Sequence, residues 1–130
     1  MNLEQLRAHL AAGRYSFGNE DELQLAIADR LGAGTDWSFT REHALSKADR
    51  IDFWMFTAGI GIEVKVRGGM SALIRQLHRY AQHPDVRGLL LVTSKPTLAT
   101  LPSRLERYSE STGRAFSVPV ESVVVRQGLR

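Results

Sequence analysis

The chain has 130 residues, 43% of them hydrophobic and none of them cysteine, with a net charge of +3. That is enough apolar content for one core at this length. It leaves no disulfide or thiolate metal site, no apolar run of membrane-spanning length, and no basic-then-apolar leader at Met1–Gln5. The expectation is a single domain over 1–130 in a reducing, cytoplasmic setting with no membrane partner.

The charge is unevenly spread. Residues 1–64 carry six Lys/Arg against ten Asp/Glu, whereas 65–130 carry eleven against four. An acidic first half suits a carboxylate site, and a basic second half suits phosphate contacts on a nucleic acid. Uneven surface charge alone would give the same counts.

In chain order, Leu3, Leu6 and Leu10 recur at helical spacing over 2–12, ended by Gly13. This short amphipathic helix reads as a packing or dimer element. Asn19 caps a second helix over 20–31, with Glu22 at capping-box spacing. Its apolar stripe is Leu23, Ala26, Ile27 and Leu31, and Glu20 lies in line with it, Gln24 less centrally. An acid in a first helical turn is also favoured by the helix dipole alone. Residues 36–43 alternate Trp37, Phe39 and Arg41 against polar residues, and predict a first strand.

Two central strands follow, over 50–57 and 60–67, joined by a Gly-containing turn. Glu63 and Lys65 share one face of the second strand, while Ile62, Val64 and Val66 take the other. A carboxylate beside an ammonium in a strand otherwise fit for burial needs pairing or a metal. Gly68-Gly69 breaks the strand. A third helix spans 70–82 with Leu73, Leu77, Tyr80 and Ala81 inward and Gln76 within that stripe; His83-Pro84 ends it. Residues 88–93, Gly-Leu-Leu-Leu-Val-Thr, read as a strand covered on both faces. A fourth helix over 101–111 and two short strands, 115–118 and 122–126, complete an α/β domain with a central mixed sheet of four to five strands flanked by helices.

If 50–57 and 60–67 pair as a hairpin, Asp52 and Glu63 approach each other across the ladder. Two carboxylates so placed bind Mg²⁺ or Mn²⁺ through oxygen, with the Val64 carbonyl as a further ligand. Lys65 could then orient or help deprotonate an attacking water. The histidines His9, His43, His78 and His83 fall on separate elements and read as surface or capping residues, with His43 and His78 the two to watch.

These residues resemble the PD-(D/E)xK nuclease superfamily: an Asp on one strand, here Asp52, then Glu63-Val64-Lys65 on the next, although Ile51 stands in place of the Pro. The order helix–strand–strand–strand–helix–strand is similar to that family's core. Gln76 and Tyr80 resemble the Gln-x-x-x-Tyr motif of RecB-like members, and Glu20-Asp21-Glu22-Leu23-Gln24 resembles a helical element of VRR-Nuc-type members. Holliday-junction-resolvase-like members are the third comparison. The resemblance implies a restriction-endonuclease-like fold, with a catalytic core over 19–95, an N-terminal helix extension over 1–18 and a C-terminal helix and strands over 96–130. It implies a Mg²⁺- or Mn²⁺-dependent nuclease acting on phosphodiester bonds, with DNA, branched or duplex, as the expected substrate. Asp52, Glu63, Val64 and Glu20 would hold metal. Lys65 and Gln76 would act on water or phosphate, and Tyr80 and Gln24 would support them. Arg41, Arg67, Arg75 and Arg79 are the candidate phosphate contacts. The alternative is a nucleic-acid-binding or assembly module that keeps the fold with little or no activity, and a third reading is a purely structural ion-pair network. So small a nuclease has little surface to enclose a duplex, which points to a homodimer through the first helix or the Trp54/Phe56 face.

Overall fold

In a computed structural model, which describes residues 1–113 and 116–126, a mixed five-stranded sheet lies between two layers of helices. The elements are α1 (Leu3–Ala11), α2 (Glu20–Gly32), β1 (Thr40–Ala44), β2 (Arg50–Met55), β3 (Ile60–Lys65), α3 (Met70–Ala81), β4 (Gly88–Thr93), α4 (Leu101–Thr112) and β5 (Val120–Val124). Spatial order follows chain order. β1–β2 and β2–β3 are antiparallel; β3–β4 and β4–β5 are parallel. The α/β class and the mixed sheet therefore agree with the sequence expectation.

The period of each segment decides which face it covers. Leu6 and Leu10 of α1 and Leu23, Ile27 and Leu31 of α2 pack on Phe53, Ile62, Val64, Leu90 and Val92. Leu73, Leu77 and Tyr80 of α3, with Leu101 and Leu105 of α4, pack on the opposite face, on Ile51, Trp54, Leu89 and Leu91. β4 is buried along its whole length, as a strand covered by helices on both sides should be. α1 is thus part of the core rather than an appendage, and Arg7 Nε donates to the Ser122 carbonyl at 2.8 Å. Its apolar stripe is consumed internally, and Trp54 is buried. Of the surfaces expected to carry a dimer contact, Phe56 alone remains well exposed.

Several boundaries differ from the sequence expectation. β2 ends at Met55 rather than 57, because 56–59 form the turn, and β3 ends at Lys65 rather than 67, where its pairing with β4 stops. β1 begins at Thr40, not 36. Trp37 and Phe39 do turn inward, Phe39 against Phe53 and Trp37 edge-on to His9, but their backbone joins no ladder, so alternation there reports burial without pairing. β5 begins directly after Pro119, whose carbonyl accepts from Leu89 N at 3.1 Å; a proline lacks a donor but not an acceptor. Residues 116–118 are not strand, and residue 115 lies outside the described residues.

The β2–β3 turn closes when the Ala58 and Gly59 amides donate to the Met55 carbonyl, with Gly59 at φ +71°. Two residues on, Gly61 admits Ile51: a Cβ there would sit 2.1 Å from Ile51 Cδ1. That close contact lies beside the last pairs of the β2–β3 ladder, just before the two strands part.

Candidate active site

The site is a fork in the sheet. The β2–β3 ladder pairs Met55–Ile60, Trp54–Gly61 and Phe53–Ile62, and stops there. β2 nevertheless continues against β1 as far as Arg50. Asp52 sits where the strands part. The alternation of faces also breaks at this point: Phe53 lies on the α2 face, whereas Ile51, two residues earlier, lies on the α3 face. Its neighbour β1 breaks in step. Arg41 stands over the Phe53 ring and His43 stacks on Trp54, and between them Glu42 has φ +50°. With neither face assigned to it, the Asp52 side chain lies toward the open edge of β3.

There its Oδ2 accepts from Val64 N at 2.8 Å, replacing the ladder bond the departed strand would have made. One amide further along the same edge, Val66 N donates to Glu20 Oε1 at 3.2 Å. In an extended strand N–H and C=O of one residue point the same way, so the Val64 carbonyl lies on this edge between the two amides. The edge therefore carries Asp52, a backbone oxygen and Glu20 in sequence. Glu22 is elsewhere: its carboxylate accepts from Gly18 N at 2.9 Å and closes the start of α2. The fork is held open from the α3 side. Tyr80 Oη donates to the Arg50 carbonyl, and Gln76 Nε2 donates to Tyr80 Oη, each at 2.8 Å.

Glu63 follows on the α3 face, with only 3% of its surface exposed. Its Oε2 lies 3.5 Å from Lys65 Nζ. Its Oε1 is buried and, among the described residues, has no hydrogen-bond partner. Desolvation, then the negative charge of Asp52, push the Glu63 carboxyl up to about 8, against the pull of Lys65. Asp52 is also raised, first by burial, which outweighs the Val64 N–H bond, with Glu20 adding to the rise. Tyr80 is raised as well, chiefly by burial and then by Glu63.

Beside this acidic fork opens a cleft of about 350 Å³ lined by Lys65, Arg67, Arg75, Gln76 and Arg79 together with the Gly68-Gly69 backbone. Among the described residues, no acidic side chain lines it. Of the expected phosphate contacts, Arg67, Arg75 and Arg79 meet here. Arg41 does not; it lies on the α2 face, where its Nη2 donates to Gln24 Oε1 at 3.3 Å. Gln24 therefore supports Arg41. Gln76 is bonded to Tyr80 and shares the cleft with Lys65.

Asp49, in the polar stretch between β1 and β2, is a residue that the sequence does not single out. It is nearly buried, and both oxygens are used: Oδ1 accepts from Arg79 Nε at 3.2 Å and Oδ2 from His83 Nε2 at 3.1 Å. Burial would raise its carboxyl, but the His83 and Arg79 hydrogen bonds outweigh it and hold it low. No local signal distinguishes Asp49 from a turn acid, since its partners are 30 and 34 residues away. His83 is thereby a partner to an acid, and His78 packs edge-on against Phe116.

Among the described residues, no three His, Asp or Glu side chains converge as a complete metal cage. The fit to a divalent cation rests instead on a smaller set. Asp52 and Glu63 are adjacent carboxylates whose ionisation burial disfavours, one buried Glu63 oxygen has no hydrogen-bond partner among the described residues, and a carbonyl and Glu20 lie on the same strand edge. Oxygen donors of this kind suit Mg²⁺ or Mn²⁺. No family model matches the chain, and comparison with curated proteins and with solved structures yields no similar protein.

Proposed function

We propose that this chain is a Mg²⁺- or Mn²⁺-dependent nuclease of the PD-(D/E)xK type, hydrolysing phosphodiester bonds in DNA. The observation that carries the reading is Glu63 Oε1, a buried oxygen with no partner, beside a second carboxylate and an ammonium. A buried acid left so incomplete is costly unless a ligand completes it.

Asp52, Glu63 and the Val64 carbonyl would hold the cation, with Glu20 joining directly or through water. A cation bound there supplies charge neutralisation at the phosphoryl group and a more acidic water. The chain's own groups do the rest. Lys65 Nζ, fixed by Glu63 at 3.5 Å and partly open to the cleft, orients the attacking water and offsets charge building on the phosphoryl oxygens. Tyr80 and Gln76 keep the fork from closing into a ladder. Arg67, Arg75 and Arg79 draw the phosphate backbone into the cleft.

The test is incubation of the purified protein with Mg²⁺ or Mn²⁺ on duplex, single-stranded, flap and four-way-junction DNA, with RNA alongside. Metal-dependent cleavage that Lys65→Ala loses supports the reading. Cleavage unchanged in Lys65→Ala refutes the assignment and identifies a contaminant. DNA binding with neither cleavage nor Mn²⁺ uptake would instead make the chain a binding module.

A further inference from the structure

The cleft cations are not equivalent. Among the described residues Arg67 and Arg75 make no ion pair, whereas Arg79 is bonded through one nitrogen to a nearly buried acid. The bond uses Nε, the inner donor of the guanidinium, and the side chain remains 57% exposed. An Arg held by Nε keeps its two terminal nitrogens as a free planar fork, the group that matches phosphate with two parallel hydrogen bonds.

The acid itself is firmly set. The Asp49 carbonyl accepts from Leu45 N and Ser46 N, at 2.8 and 3.2 Å, and its amide donates to Ser46 Oγ at 3.1 Å. His83, one helical turn beyond Arg79, occupies the other carboxylate oxygen. The 45–49 turn thus ties the end of α3 to the start of β2, a few residues from Asp52. A flexible exposed Arg would lose rotamer freedom on each binding event; here that loss is taken during folding.

We infer that Asp49 is a positioning residue that fixes the Arg79 guanidinium at the cleft for two-pronged contact with a substrate phosphate. This rests on the nuclease reading for its kinetic test, and on polyanion binding alone for its second. A mere structural ion pair would alter stability without altering substrate affinity in step with Arg79.

The experiment is a double-mutant cycle read as separate KM and kcat on a labelled oligonucleotide with Mn²⁺. Arg79→Gln raises KM about tenfold at low salt with kcat nearly unchanged. Asp49→Asn raises it about three- to tenfold, and the double variant is no worse than Arg79→Gln alone. Arg79→Lys, which keeps the charge but lacks the fork, behaves like Arg79→Gln, whereas Arg14→Gln, a charge removed from outside the cleft, leaves KM as it was. Additive effects of Asp49→Asn and Arg79→Gln, or a wild-type KM in Arg79→Lys, overturn the inference. If Asp49→Asn fails to fold, as circular dichroism would reveal, the Arg79→Lys comparison decides. If the wild-type chain cleaves nothing, the nuclease reading falls, and fluorescence anisotropy with the same oligonucleotide decides the inference separately. Weakening by Arg79→Gln that Arg79→Lys reproduces supports it, and wild-type affinity in Arg79→Lys overturns it.

Discussion

Two nearly buried acids in this molecule have opposite surroundings. Asp49 is 7% exposed and Glu63 is 3% exposed, so burial alone does not separate them. Asp49 has a cation or a hydrogen-bond donor on each oxygen, and its carboxyl is held low. Glu63 has Lys65 at 3.5 Å on one oxygen, no hydrogen-bond partner on the other among the described residues, and a second acid beside it; its carboxyl is pushed up to about 8. The first is a finished ion pair and contributes to the fold. The second costs stability in its charged form, which is the expected signature of a site whose partner arrives with function.

The strongest way to break the contrast is kinetic. Replacing Asp52, Glu63 or Lys65 by Ala should lower single-turnover cleavage by a factor on the order of 10³ or more, with the fold intact by circular dichroism. Retention of cleavage by the purified Glu63→Ala protein would remove Glu63 from the site. The same residues should respond in opposite directions when stability is measured by urea unfolding at pH 9 without metal. Glu63→Gln should stabilise the chain, by on the order of 2 kcal/mol, because it removes a buried charge that lacks partners. Asp49→Asn should destabilise it by about 1–2 kcal/mol, because the amide offers one neutral acceptor where Arg79 and His83 each have a carboxylate oxygen. Equal signs would refute the comparison.

The pH dependence follows from the same two shifts. Glu63 has a folded value of about 8 against an ordinary 4.5, so its stabilising effect is full below 4.5 and is lost as pH rises toward and through 8. Asp49 lies below its ordinary 3.8, so its contribution is full above 3.8 and is lost as pH falls through its lower folded value. Metal-free thermal melts should therefore show Tm falling between about pH 5 and 9, and Glu63→Gln should flatten that fall. Because a cation needs ionised Glu63, Mn²⁺ should raise Tm more at pH 9 than at pH 6. A Tm increment independent of pH would separate the metal from Glu63. The smallest expected effects belong to Arg67→Gln and Arg75→Gln, neither of which is anchored as Arg79 is. Each should reduce the salt dependence of DNA binding by about one counterion, as measured by anisotropy across a salt series.

The helices were legible because their signals are local. The stripe Leu73, Leu77, Tyr80 and Ala81 and the Asn19 cap are properties of neighbouring residues, and each was found where it was expected. Alternation was a weaker guide. It put Trp37 and Phe39 into a strand that begins only at Thr40, because burial and ladder pairing produce the same pattern. The two strands and the glycine turn between them are legible in the apolar runs, and β2 and β3 do pair antiparallel, as the sequence reading supposed. The early end of that pairing at Phe53–Ile62 was not legible, since a fork is created by what wedges it.

Composition and spacing alone determined an α/β domain with one core, a carboxylate and a lysine on one strand face, and a helical Glu20 in line with buried residues. These follow from short-range periodicity, which the chain carries at every position. Tertiary structure decided which acids matter and how. It set Glu20 rather than Glu22 on the edge of β3, turned Arg41 toward Gln24, and gave Asp49 partners 30 and 34 residues away in sequence. It also left one buried Glu63 oxygen without a hydrogen-bond partner among the described residues. Charge energetics depend on desolvation and on groups meeting across space, and neither is a property of sequence neighbours.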